Sequence, residues 1–119
     1  MTATTYLVLL YGDEKQWKSM TPEQEATLDA SHRAFTAALA ERGYEQVSSA
    51  QLEYAAQGRI VRRRNGAEPN ITDGPFAETV EQLGGFYLIR TGPGEDSHED
   101  LTALVAKHLT ESADIRPTV

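Results

Sequence analysis

Two segments of this chain are apolar on both faces of a two-residue alternation: Tyr6–Tyr11 (YLVLLY) and Gly85–Thr91 (GFYLIRT). A strand with one face in water alternates cleanly, so these two read as strands covered on both sides. Between them the period changes. Leu28, Phe35, Ala38 and Leu39 fall on one helical face, behind Thr21 as N-cap, Pro22 at the first helical position and Gln24 closing a capping box. Gly43 stands where a left-handed C-terminal cap belongs. Tyr44–Leu52 is a second, more weakly patterned strand, and the polar loop through Ser19 carries the sole tryptophan, Trp17. Gly58–Arg64 and Glu68–Thr72 read as hairpin arms around Asn65-Gly66, with Pro69 placing the second arm at an edge. A second helix starts at Asp96 or Ser97, with Leu101, Leu104, Val105, His108 and Leu109 on one face. Asp114–Val119 closes the chain as an edge strand.

The order predicts an α+β fold, a ferredoxin-like βαββαβ unit with an inserted edge hairpin, in one domain over residues 1–119. Two helices cover only one face of such a sheet. The apolar side chains left on the other face predict a two-fold homodimer through the sheet.

Composition narrows the chemistry. With no cysteine among 119 residues, disulfides, thiolate metal sites and cysteine nucleophiles are excluded. A net charge of −7 repels phosphate backbones and speaks against nucleic acid as a partner. No apolar run is long enough to span a bilayer and no signal-peptide pattern opens the chain, so the expectation is a cytoplasmic protein without membrane attachment. The three histidines lack HxH or HExxH spacing, and no dinucleotide or phosphate-loop fingerprint is present, so neither metal nor cofactor is expected.

The densest special chemistry is Thr72–Tyr87 (TDGPFAETVEQLGGFY). Asp73 can cap a turn or present its carboxylate at a cleft. Pro75 fits a helix start, which makes Glu78–Leu83 a helical turn or two, with Glu78 and Glu81 on one side of it. Gly84-Gly85 either ends that turn or lets the backbone approach a ligand closely. His32 lies on the sheet-facing stripe of the first helix, four residues after Leu28, and an imidazole there requires a hydrogen-bond partner. His98, at a helix start, is expected in solvent, and His108 is expected to be structural. Tyr11, Asp13 and Trp17, at the end of the first strand, either wall a pocket or cap the core. Arg59, Arg62, Arg63 and Arg64 either protect an edge hairpin from pairing or clamp an anion.

The block TDGPFAETVEQLGGFYLI, with YLVLLYGDEKQW, SHRAFTAALAERG and the terminal IRP, resembles the YCII-related (DGPF-motif) family of small bacterial proteins over nearly the whole chain. The chain departs from that pattern at Gln51–Gln57 and in the arginine run after it. The resemblance implies a dimeric α+β barrel with a cleft between sheet and helices and, for some members, a genomic association with extracytoplasmic-function sigma factors. It also implies a His–Asp acid–base pair, with Asp73 as partner of His32. The candidate catalytic pair is thus His32 and Asp73. Candidate ligand contacts are Tyr11, Asp13, Trp17, Phe76, Glu78, Glu81, Gly84, Gly85 and Tyr87. Three functions fit: a dimeric small-ligand-binding module, regulatory in use; a cofactor-independent acid–base enzyme; or a protein-interaction module.

Overall fold

The computed structural model describes residues 3–93 and 96–119, and these form β1 (Thr5–Asp13), α1 (Glu14–Lys18), α2 (Pro22–Glu41), β2 (Glu45–Gln51), β3 (Arg59–Arg62), β4 (Asn70–Asp73), β5 (Glu81–Arg90), α3 (Ser97–His108) and β6 (Ser112–Pro117). Four strands make one sheet in the order β2-β5-β1-β6, antiparallel at every neighbour. The two doubly apolar strands are its centre, and the order is compatible with a ferredoxin-like unit. A single 3₁₀ turn, Ala55–Gln57, precedes β3.

Helix α2 obeys its local signals at both ends. The Thr21 hydroxyl accepts from the Gln24 N–H while the Gln24 side chain accepts from the Thr21 N–H. At the other end Gly43 takes φ +75°, and the N–H groups of Gly43 and Tyr44 donate to Ala40 and Leu39, which is the Schellman closure. Tyr6, Val8 and Leu10 of β1 and Tyr87 and Ile89 of β5 point toward the helices. There they meet Phe35 and Leu39 of α2 and Leu101, Leu104, Val105 and Leu109 on and just past α3. Each such side chain contributes roughly 1.5–3 kcal/mol by leaving water. Beyond these hydrophobic contacts, Tyr44 donates to Asp100 at 2.6 Å, Arg42 donates to the same oxygen at 3.1 Å, and α2 is thereby clasped to the first turn of α3.

Several expectations change. The polar loop after β1 contains α1, capped by Asp13 accepting from the Lys15 N–H at 2.9 Å. No helix follows Pro75; residues 74–80 are irregular and Glu81 already begins β5, because pairing to β1 extends as far as Asp13↔Glu81. The hairpin is not an edge of the main sheet. Strands β3 and β4 form a separate two-stranded sheet that packs little on the rest. Its arms are joined by seven residues, 63–69, rather than by a two-residue turn. Asn65-Gly66 is the centre of a local turn closed by Ala67 N–H donating to Arg64, with only Gly66 at positive φ. The last strand starts earlier than expected, at Ser112, in register with β1 from Tyr11 onward. His98 is exposed as expected, with Nε2 2.9 Å from the Ile115 carbonyl, and His108 is half-buried.

The radius of gyration is 16.5 Å, larger than the roughly 13.5 Å of a compact chain this long, because the hairpin projects. On the sheet face away from the helices Leu7, Leu9, Phe86 and Leu88 are half-buried. Among the described residues no helix is long and apolar enough to cross a membrane.

Candidate functional site

Helix α2 is longer than the core it covers. Its C-terminal half buries Phe35 and Leu39, while Glu25, Leu28, Asp29 and His32, spaced as one helical face, overhang a cavity of about 570 Å³. The floor is the helix-side surface of β5 and β2, where Gly85 and Tyr87 lie beside Gln51 and Ser49. Strand β2 is exposed along its length, so this end of the sheet stays open. Glu14 and Trp17 of α1, the segment Leu52–Tyr54 and Glu111 complete the lining.

Glycines set the cavity's back wall. The Trp17 indole lies against Gly12 and Gly84 so closely that a Cβ on either glycine would enter the ring. Gly84 is the extra residue where the register of β5 on β1 shifts, from Leu10↔Gly85 to Tyr11↔Leu83. Gly85 is equally constrained, since a Cβ there would stand 2.9 Å from the Ala50 carbonyl of the neighbouring strand. The expected close approach is therefore to Trp17 and to β2. Gly74 is also fully used. Its N–H donates to Gly58 at 2.9 Å, and a Cβ there would enter the Ala55 carbonyl. Glu14 accepts from the Ala55 N–H at 2.7 Å. The turn at Asp73–Phe76 thus braces, from behind, the 3₁₀ turn that follows the lining segment.

His32 does not pair with Asp73. Its Nδ1 lies 2.6 Å from the Tyr87 hydroxyl and its Nε2 lies 2.7 Å from Glu111 Oε2. Both ring nitrogens are taken. Asp73 ends β4, is exposed, and does not line the cavity. Phe35 packs edge-on to the Tyr87 ring with centroids 5.1 Å apart, fixing the phenol from its other side. The Glu111 side chain is 10% exposed and that of His32 25%. Burial pushes the Glu111 carboxyl up, but the hydrogen bond and charge of His32, with the nearby N–H groups of Glu111 and Thr110, outweigh it and hold the pKa below the ordinary glutamate value. Glu111 Oε1 is sealed from solvent and has no hydrogen-bond partner among the described residues. The Tyr87 pKa is raised, first by burial and then by the Glu111 charge, so the phenol keeps its proton.

This trio has two proton arrangements. With a neutral ring, Nε2–H donates to the carboxylate and Tyr87 O–H donates to Nδ1. With a cationic ring, Nδ1–H donates to the Tyr87 oxygen and frees its O–H for the cavity.

Of the other expected contacts, Trp17, Gly84, Gly85 and Tyr87 line the cavity, and Tyr11, Asp13, Phe76, Glu78 and Glu81 do not. Phe76 instead lies under the Arg62 guanidinium, 4.2 Å from ring centre to Cζ, and Asp13 is spent on capping α1. Sequence reasoning missed Glu111, which stands in no motif and reaches His32 from 79 positions away. It also missed Glu25 and Asp29, which helical spacing from His32 would have found. Among the described residues no three His, Asp or Glu side chains converge closely enough to hold a metal ion.

A family model described as the YCII-related domain matches residues 4–108, a stretch that ends before Glu111. The chain is also 29% identical to a protein of Rhizobium meliloti (strain 1021) described as uncharacterized protein R00369, with 94% of this chain and 90% of that protein covered. With its sheet, helices and matched stretch in agreement, the chain belongs to the YCII-related domain family.

Proposed function

We propose that the cavity is a small-molecule site in which Tyr87 exchanges a proton with the bound ligand, held and recharged by His32 and Glu111. The observation that carries this reading is the pair of short contacts, 2.6 and 2.7 Å, that join the three side chains at the cavity wall. Because both imidazole nitrogens are occupied, His32 acts through Tyr87. With the ring neutral, Tyr87 takes a proton from the ligand's α-carbon as its own proton passes to Nδ1, and the cationic ring then returns a solvent-exchanged proton to that carbon by the same path. Glu111, 2.7 Å from Nε2, holds the ring in line with Tyr87 in both arrangements. Groups placed this way contribute about 10²–10⁴-fold to proton transfer. Glu111 takes the place expected of Asp73, and the reaction class is that of a cofactor-independent acid–base enzyme.

The test is deuterium uptake. Carbonyl compounds that bind by thermal shift are incubated with the protein in D₂O and read by mass spectrometry. The reading expects at least one compound to exchange, and Tyr87→Phe to slow that exchange about 100-fold while binding persists. Binding without exchange, or exchange unchanged in Tyr87→Phe, reduces the trio to a pin joining α2 to β5 and leaves a ligand-binding module.

A homodimer belongs to the same proposal. Leu7, Leu9, Phe86 and Leu88 form an apolar face opposite the helices. The projecting hairpin carries Val61 and Ile71 as a cross-strand pair, 51% and 62% exposed. A second copy covering the sheet face satisfies the first surface and gives the arm something to grip. Sedimentation is expected to give twice 13.1 kDa for the native chain and a single mass for Leu9→Glu. A native chain that sediments as a monomer refutes the pairing.

A further inference from the structure

We infer that Ser49 is a further catalytic residue of the cavity: its hydroxyl donates to the carbonyl oxygen of a neutral ketone or aldehyde whose α-carbon faces Tyr87, and Gln46 is the positioning residue that aims it. The inference rests on the proton-transfer reading and deepens it by naming the ligand's class and the group that meets its oxygen. Removing an α-proton sends the C–H electron pair onto the carbonyl oxygen, and the enolate so formed needs a donor there until the pair returns to carbon. The lining restricts what that donor can be. It carries five carboxylates, from Glu14, Glu25, Asp29, Glu53 and Glu111, which repel an anionic ligand. Its one basic side chain, His32, has both ring nitrogens engaged, by Tyr87 and by Glu111. The oxygen is therefore met by a neutral donor.

Three observations place Ser49 in that role. It stands directly opposite Tyr87 in the pairing of β2 with β5, and both line the cavity, so the two side chains leave the same sheet face with Cβ atoms about 4.5–5.5 Å apart. A carbonyl oxygen lies two bonds from its α-carbon, and that separation suits a molecule offering one atom to each side chain. Gln51, also on the helix side of β2, stands opposite Gly85 and is further along the sheet. Second, the β2 residues opposite Ile89, Tyr87 and Gly85 are Gln46, Ser49 and Gln51, all polar, on a sheet face that ordinarily supplies core side chains. Third, Val47 is an extra residue between Gln46 and Ser48 in the register, and this bulge brings Gln46 and Ser49, three positions apart, to one face. There Gln46 Nε2 donates to Ser49 Oγ at 2.8 Å. The serine oxygen is thus anchored as an acceptor on its own strand, and its O–H has no acceptor among the described residues. Ser49 is exposed at the open end of the cavity, so a ligand oxygen replaces water on that proton.

The probes are 2-indanone and indane, which share a body and differ by one carbonyl oxygen, titrated into the native chain by calorimetry. Deuterium uptake by 2-indanone in D₂O is read alongside, above the rate in buffer. The ketone is expected to bind about tenfold tighter than indane. Ser49→Ala, at an exposed position, is expected to erase that preference and slow exchange about 100-fold, while Ser49→Thr keeps both. Gln46→Glu replaces the amide donor by an acceptor of the same shape, turns the serine proton toward itself, and is expected to erase the preference as fully as Ser49→Ala. The double variant should be no worse than either single one, a result that independent structural damage would not give. A ketone preference unchanged in Ser49→Ala, native behaviour of Gln46→Glu, additive losses in the double variant, or no binding of 2-indanone overturns the inference. Its failure is separable from that of the proton-transfer reading. If exchange requires Tyr87 but is unchanged by Ser49→Ala, the relay stands and Ser49 is not the donor. If the ketone preference is lost in Ser49→Ala and Gln46→Glu while nothing exchanges even in the native chain, the oxygen seat stands and the relay is wrong.

Discussion

Replacing Gly84 by alanine tests whether the cavity wall is built as described. The methyl group has nowhere to go, because the Cβ would enter the Trp17 ring at Cη2 and stand 2.8 and 3.3 Å from two further ring carbons. The same edge of the ring also lies on Gly12, so the indole rests on both glycines and must lift off the sheet to admit the methyl. Overpacking of this kind costs about 1–3 kcal/mol. Taking about 2 kcal/mol and an unfolding entropy of roughly 2.1 cal/mol/K per residue, a chain of 119 residues should lose about 8 °C of melting temperature. Trp17 is the sole tryptophan, so its emission reports the displacement directly. The assay is thermal unfolding followed by fluorescence and by far-ultraviolet dichroism. Gly84→Ala should shift the native emission and lower both melting curves together. Gly92→Ala, whose Cβ meets nothing among the described residues, should change stability by less than about 0.5 kcal/mol. If Gly84→Ala melts and emits like the native protein, the indole does not rest on the two glycines and the wall has been misread.

The remaining predictions concern pH. Glu111 and Asp100 both have carboxyl pKa values held below the ordinary range, Asp100 chiefly by the Tyr44 hydrogen bond, so the folded state releases these protons more readily than the unfolded chain. Their stabilisation is present above the unfolded values of 4.5 and 3.8 and is lost as pH falls through the lower folded ones; Glu111→Gln should flatten the acid limb of urea-midpoint against pH, and an unchanged limb would contradict the Glu111 assignment. At the alkaline end Tyr44 is pushed up to about 12, first by burial and then by Asp100, so its stabilisation holds below pH 10 and declines as pH rises toward that value. Tyr44→Phe should reduce this alkaline decline, leaving the smaller part due to Tyr87, and a decline identical to the native one would refute the clasp.

Much of the architecture follows from short-range pattern alone. The doubly apolar Tyr6–Tyr11 and Phe86–Ile89 had to lie at the centre of a sheet, and Thr21, Pro22, Gln24 and Gly43 delimit α2 because each satisfies backbone groups within four residues of itself. The placement of His32 on the sheet-facing stripe of the same helix likewise follows from the 3.6-residue period. Pattern failed where the deciding partner was distant. Glu78–Leu83 reads as a helical turn, yet pairing with Tyr11–Asp13 draws Glu81–Leu83 into β5. Asn65-Gly66 carries a two-residue hairpin signal, but the neighbouring loop absorbs seven residues before the strands pair.

The site divides along the same line. Sequence by itself determined the family block, the sheet-facing histidine and the glycines at Gly74, Gly84 and Gly85. What those glycines receive was decided only in three dimensions, by a carbonyl of Ala55, the ring of Trp17 and a carbonyl of Ala50. The partner of His32 was decided there as well. A hydrogen-bond partner is required beside such an imidazole, and periodicity identifies the face on which it must stand. Which of 18 acidic residues stands there depends on how the chain closes between α3 and β6, and that closure brings Glu111, not Asp73, to the ring.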